Sequence, residues 1–169
     1  GYHPVPISVN VSRMDIVSMD VPAYLKELLQ KYELSAKYLK VEITESAYID
    51  DDDVIDTVVR ELRNAGFVVM MDDFGSGYSS LHMLKEVPVD RIKLDLHFLT
   101  SSGDQKKSRT IVGCMIQMVE LLEMKMIAEG VETIEQANFL RDRGCSEMQG
   151  YYFYKPMPVE EYEKLSEDI

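Results

Sequence analysis

The sequence predicts an α/β protein in which helices cover a parallel sheet, and three observations carry that prediction. Six short runs rich in β-branched and apolar residues recur along the chain, helical stripes separate them, and polar residues collect where the runs end. Strict alternation of strand and helix requires crossover connections, which place the helices outside a parallel sheet. Two architectures satisfy this pattern, an open doubly wound sheet and a closed (β/α)8 barrel. In a barrel the active site lies at the C-terminal ends of the strands.

Taken in order, the expected strands are Ile7 to Val11, Tyr38 to Ile43, Phe67 to Met71, Arg91 to Leu94, Met124 to Ala128 and Ser146 to Tyr151. The first long helix between them carries Val54, Ile55, Val58, Val59 and Leu62 on one face. The second carries Ile111, Met115, Met118, Val119 and Leu122. Shorter helices fit Ala23 to Lys31, Tyr78 to Lys85, Ile134 to Arg143 and Glu160 to Leu165. Asp50 to Asp53 fall where a helix begins and favour the positive end of its dipole. Gly66 and Gly144 each follow a helix and precede a strand, as C-capping glycines do, and Thr133 with Gln136 reads as a capping box.

Composition narrows the function classes. The 169 residues, 46% of them hydrophobic, supply one domain's core, and an excess of acid gives a net charge of −12. That field opposes a non-specific grip on polymeric nucleic acid or anionic membrane, so a phosphate ligand needs metal ions or a local basic site. Cys114 and Cys145 lack CxxC spacing, which fits reduced surroundings and two small core residues. No apolar stretch reaches the ~20 residues of a membrane span, and no membrane contact is expected from this segment. The start at Gly1, with a strand by Ile7, reads as an excised fragment.

The strand ends carry the chemistry. Asn10 lies near the end of the first, Glu42 and Glu45 close the second, and Asp72 and Asp73 close the third. Lys93 and Asp95 lie in the fourth, Glu129 and Glu132 follow the fifth, and Gln149 lies in the sixth. One acid at a strand end merely solvates a loop, but six strands ending this way strain that reading. On a barrel these groups converge on one mouth, where carboxylates repel and take up protons unless cations neutralise them. An oxygen-rich set with one amide suits Mg2+ or Mn2+ rather than zinc. His3, His82 and His97 show no ligand spacing.

Adjacent acids on a turn, as in Asp72-Asp73, can place one carboxylate between two metals and the other on the second. The same residues in Asp-Asp-Phe-Gly-Ser-Gly also read as a turn and helix cap. The loop is not a full GxGxxG fingerprint, because Ser80 stands at the third glycine, and Asp73-Phe74-Gly75 lacks the companion kinase motifs. Lys93 and Asp95, two apart on a strand, share a face. Their bland reading is a core salt bridge; in a metal site the ammonium holds a water or offsets phosphate charge. Glu129 and Glu132 do not share a strand face, so at most one reaches a metal directly. The eleven methionines read as core gap-fillers, and the aromatics from Tyr151 to Tyr154 as strand packing and the loop after it rather than a base-stacking platform.

The stretches SVNVSR (8–13), VEITES (41–46), MDDFGSGYSSL (71–81), VDRIKLDLHF (89–98), AEGVET (128–133) and GCSEMQGYYFYKPMP (144–158) closely resemble the EAL domain, a bacterial phosphodiesterase acting on cyclic di-GMP. They occur in the family's order and cover essentially the whole chain. The resemblance implies a variant (β/α)8 TIM-type barrel, so residues 1–169 form a single truncated EAL-type domain of about six β/α units with the N-terminal units missing. It implies that Asn10, Glu42 and Asp72 bind one metal and that Asp72 bridges to a second bound by Asp73 and Glu129. Lys93 orients the attacking water, and Glu129 serves as general base or purely as ligand. Asp95, Glu132 and Gln149 hold water, metal or neighbouring ligands, and Glu45 anchors the loop after the Asp pair, which the family links to dimerisation.

The implied reaction is two-metal hydrolysis of cyclic di-GMP to linear pGpG, with Mg2+ or Mn2+. The Glu-Ala-Leu motif that names the family is absent, and Ser76 replaces the commoner Thr. The fragment is therefore expected to be inactive or weakly active while its parent hydrolyses cyclic di-GMP. The competing readings are a non-catalytic cyclic di-GMP receptor or protein-interaction domain, and an unrelated metal-dependent barrel enzyme. Open strand edges near Ile7 to Val11 and Glu147 to Tyr151 predict a homodimer or other self-association. The expected compartment is cytoplasmic, with the parent free to carry a membrane anchor.

Overall fold

The structure, a computed structural model, describes residues 5–48, 52–75, 84–85, 87–96 and 104–167. Six strands form one parallel sheet in sequential order: β1 (Ile7–Asn10), β2 (Leu39–Thr44), β3 (Val68–Phe74), β4 (Arg91–Asp95), β5 (Lys125–Glu129) and β6 (Glu147–Met148). The sheet curls into an incomplete TIM-type barrel. Helices α1 (Arg13–Ser18), α2 (Val21–Lys31), α3 (Asp52–Asn64), α4 (Gln105–Leu121), α5 (Ile134–Asp142) and α6 (Val159–Glu167) lie between or after the strands.

Alternation along the strands separates two faces. Val41, Ile43, Val69, Met71, Ile92, Leu94, Met126 and Ala128 join the core shared with the helices, where Ile55, Val59 and Leu62 of α3 are buried. The opposite face of β2 to β5 carries Glu42, Asp72, Lys93 and Glu129, whose side chains meet across the strands. Two residues before Lys93, Arg91 pairs with Glu147 of β6 on this same face.

Several expectations shift. The short helix α1 was not predicted, although Ser12 and Asp15 cap it reciprocally as a capping box. Asp20 caps α2, with Pro22 in its first turn. The buried face of α4 is Val112, Gly113, Ile116 and Val119, one residue round from the expected stripe; Ile111 and Leu122 are exposed. Val119 of the expected stripe is buried, and Met115 and Met118 pack against the core, so the expected face is only partly displaced; a Cβ on Gly113 would meet Arg143 Nη1 at 2.3 Å. Arg143 and Arg109 both stack on Phe139, 5.3 and 5.2 Å from its ring centre. Cys145 is buried but Cys114 is exposed, so only one of the two cysteines is a core residue.

β6 is two residues long, not the six expected, and residues 151–153 form an exposed turn, so these aromatics belong to the loop after the strand and not to strand packing. The capping box of Thr133 and Gln136 and the positive φ of Gly66 and Gly144 are present as predicted. Most of the helix expected at Tyr78 to Lys85 lies outside the described residues, as do the three histidines.

Candidate metal and phosphodiesterase site

The site sits at the C-terminal ends of β1 to β5, where parallel pairing stacks the strand ends in register. Asn10 pairs with Glu42, Thr44 with Asp72, and Asp95 with Glu129. β3 departs from this regularity. Met71 pairs with Ile92 and Phe74 with Leu94, so Asp72 and Asp73 together oppose the single residue Lys93. This is a β-bulge, uncommon in parallel sheets. Asp73 takes the left-handed conformation at φ 57°, which Asp tolerates better than most residues, and its N–H donates to Asp72 Oδ1 at 3.0 Å. Phe74 thereby returns to the helix-facing core.

Lys93 stands at the centre. Its Nζ donates to Glu42 Oε2 at 2.6 Å and Asp72 Oδ1 at 3.0 Å, and lies 3.0 Å from Glu129 Oε1. Only 5% of Lys93 and 8% of Glu42 is exposed, so these charges are held in a weakly screened environment. Burial by itself pulls the Lys93 ammonium down, yet the bonds from Glu42, Asp72 and Glu129 outweigh it and hold the lysine above its ordinary range. Glu129 is pushed up to about 7, first by burial and then by Asp72 and Glu42, against the pull of Lys93. Burial also raises Asp73, aided by Asp72 and Asp95.

Three carboxylates thus surround one ammonium, with Asp73 next in chain to one of them. An all-oxygen donor set with surplus negative charge fits hard divalent cations, since three carboxylates face a single ammonium. Among the described residues no three acid, imidazole or thiolate groups close on a single ion, since Lys93 fills the space between Glu42, Asp72 and Glu129.

The other predicted residues surround this centre at different depths. Asn10 is exposed at the end of β1 and lines a cleft of about 360 Å³ with Arg13, Glu42 and Thr44. Glu45, 2% exposed, opens the 3-10 turn Glu45–Tyr48 and accepts the Gly75 N–H at 3.2 Å, tying that turn to the residue after β3. Asp95 is half-buried beside Glu129. Glu132 is exposed, and its N–H donates to Gln136 Oε1 at 2.7 Å. Gln149 lies just beyond β6 rather than in it. Its N–H donates to Ala128 O at 2.8 Å, and its carbonyl accepts from Val131 at 3.1 Å.

One contributor escaped the sequence reading. Gly150 lies so close to the loop after β5 that a Cβ would stand 2.2 Å from Val131 O and 2.3 Å from Val131 N. Tyr152 N–H completes the join by donating to Val131 O at 2.9 Å. The glycine beside Gln149 was the available signal, since a glycine at a strand end marks close backbone approach.

Comparison with known proteins agrees with this geometry. The chain is 36% identical over 165 residues to the signaling protein YkoW of Bacillus subtilis (strain 168), covering 98% of this chain and 20% of that protein. It is 35% identical over 158 residues to the cyclic di-GMP phosphodiesterase PdeR of Escherichia coli (strain K12), covering 94% and 24%. The chain therefore spans about a fifth to a quarter of these relatives. Among solved structures, the PaMucR phosphodiesterase in complex with c-di-GMP superposes with a TM-score of 0.85 at 32% identity, over 93% of this chain and 64% of that one. The manganese and cyclic di-GMP complex of BlrP1 from Klebsiella pneumoniae gives 0.79 at 29% identity, over 87% and 38%. The profile of the EAL domain matches residues 1–156, and the chain belongs to the EAL domain family.

Proposed function

We propose that the chain is the larger part of a catalytic barrel that, in its parent protein, hydrolyses cyclic di-GMP to linear pGpG with Mg2+ or Mn2+. The observation that carries this reading is the ammonium of Lys93 held between Glu42, Asp72 and Glu129 at the mouth of the sheet, with Asp73 beside them. Asn10, Glu42 and Asp72 would hold one ion, and Asp72, Asp73 and Glu129 a second. Such ions lower the pKa of the attacking water and neutralise the phosphodiester.

Lys93 supplies the remaining positive charge at the reacting centre, where it orients the water and offsets charge on the phosphate. Glu129, whose carboxylate faces Lys93 at 3.0 Å, would serve as ligand or as acceptor of the water's proton. The water's proton passes to Glu129 as its oxygen bonds phosphorus in line, the P–O3′ bond breaks, and the departing ribose 3′-oxygen takes a proton from solvent. Asp95, Glu132 and Gln149 line the margin of the site, and Glu45 fixes the backbone after the Asp pair through Gly75. Both edge strands, β1 and β6, are open to pairing, which supports self-association as a homodimer. The acidic character of the chain and its phosphate-bearing substrate fit a cytoplasmic setting.

The test incubates purified parent and 169-residue chain with cyclic di-GMP and Mg2+ or Mn2+, and separates products by anion-exchange chromatography. Ion-dependent pGpG from the parent, abolished by Lys93→Ala, is expected. Tight binding by the parent without turnover would replace this reading with the non-catalytic receptor.

A further inference from the structure

We propose that Lys93 is a built-in counter-ion that keeps the carboxylates in register while the site is free of metal, and that divalent cations load by displacing its ammonium. An ammonium has three donors, and Nζ meets three carboxylates, one each from β2, β3 and β5, at 2.6, 3.0 and 3.0 Å. With Lys93 only 5% exposed, water cannot take over this role. The same three carboxylates are the ones assigned to the ions, so the proposal rests on that ligand assignment, though not on turnover of cyclic di-GMP.

A divalent cation on those oxygens and an ammonium about 3 Å from each of them repel strongly in a weakly screened site. The unbranched lysine stem lets Nζ shift off those oxygens toward the attacking water while its methylenes stay packed. Lys93 thus acts as a positioning residue that lowers metal affinity in return for a pre-formed site. Without it, the carboxylates lose their shared anchor but also their competitor for cations.

Titration calorimetry with Mn2+ alone tests this on the purified chain and on Lys93→Met. The variant should bind Mn2+ at least about tenfold more tightly, and should melt at a lower temperature without ions and recover when Mn2+ is added. Equal or weaker binding overturns the proposal. A second measurement does not depend on the variant folding: the side-chain ammonium signal of Lys93 in ¹H–¹⁵N spectra of the wild-type chain, titrated with Mg2+. A shift at saturation is expected, and an unmoved signal overturns the proposal. Failure of the wild-type chain to bind either ion overturns it together with the ligand assignment. Absence of cyclic di-GMP turnover with the Mn2+ result intact removes only the phosphodiesterase reading.

Discussion

Substituting Gly150 by alanine probes the join between the loops after β5 and β6. The new Cβ would stand 2.2 Å from Val131 O, 2.3 Å from its N and 2.7 Å from its C, all backbone atoms that no rotamer change can move. Ordinary contact begins at 3.4 Å, so the loops must part by roughly 1 Å. That separation strains two hydrogen bonds, Val131 N–H to Gln149 O at 3.1 Å and Tyr152 N–H to Val131 O at 2.9 Å. At about 1 kcal/mol net for each bond, with desolvation of the groups left unpaired, Gly150→Ala should cost about 2–4 kcal/mol. Urea unfolding followed by circular dichroism would read this as a midpoint lower by about 1–2 M. Gly144→Ala is the matched control: its φ is 93°, but the nearest atom to a new Cβ is Glu120 Oε2 at 3.9 Å. It should cost only backbone strain, about 1 kcal/mol. If Gly150→Ala costs no more than Gly144→Ala, the close-approach argument is wrong.

Two further outcomes follow from groups already described. Glu129 is raised from 4.5 to about 7 in the folded chain, so between these values the folded state binds more protons than the unfolded one. Metal-free stability should therefore fall as pH rises from about 4.5 to about 7; the raised Asp73 acts in the same direction, and a urea midpoint that climbs through this window would refute the assignment. Tyr48 is 1% exposed, its hydroxyl has no partner among the described residues, and burial followed by Asp56 pushes its pKa up. Tyr48→Phe should leave stability unchanged or raise it by up to about 1 kcal/mol, and a loss above about 1.5 kcal/mol by the same unfolding assay would show that the hydroxyl is bonded.

The sheet was legible because β-branched runs and helical stripes repeat with a clear period, and the acids stood out because a core has no use for them. The face of α4 was not legible. A glycine scores as neutral in a hydrophobic stripe, so the burial of Gly113 beside Val112 and Ile116 could not register. The length of β6 also escaped, because beyond Met148 the backbone of Gln149, Gly150 and Tyr152 joins the loop at Val131 instead of continuing as a strand. Helix α1 was present in the sequence as Ser12 and Asp15, but six residues are too few for a periodic stripe to register. The depth of Lys93 was legible only as two alternatives, core salt bridge or metal-site cation, and its three contacts combine them.

The irregular step in β3 bears on how such a site could arise. Met71 opposite Ile92 and Phe74 opposite Leu94 leave Asp73 as the one supernumerary residue of the strand. Deleting it would let Asp72 face Lys93 alone, keep Phe74 against Leu94, and remove a left-handed aspartate that costs roughly 1 kcal/mol. The barrel would keep its pairing and lose only its second adjacent acid. Architecture and chemistry are therefore separable here by a single codon, and a scaffold holding one carboxylate at this strand end could gain the other by insertion without refolding.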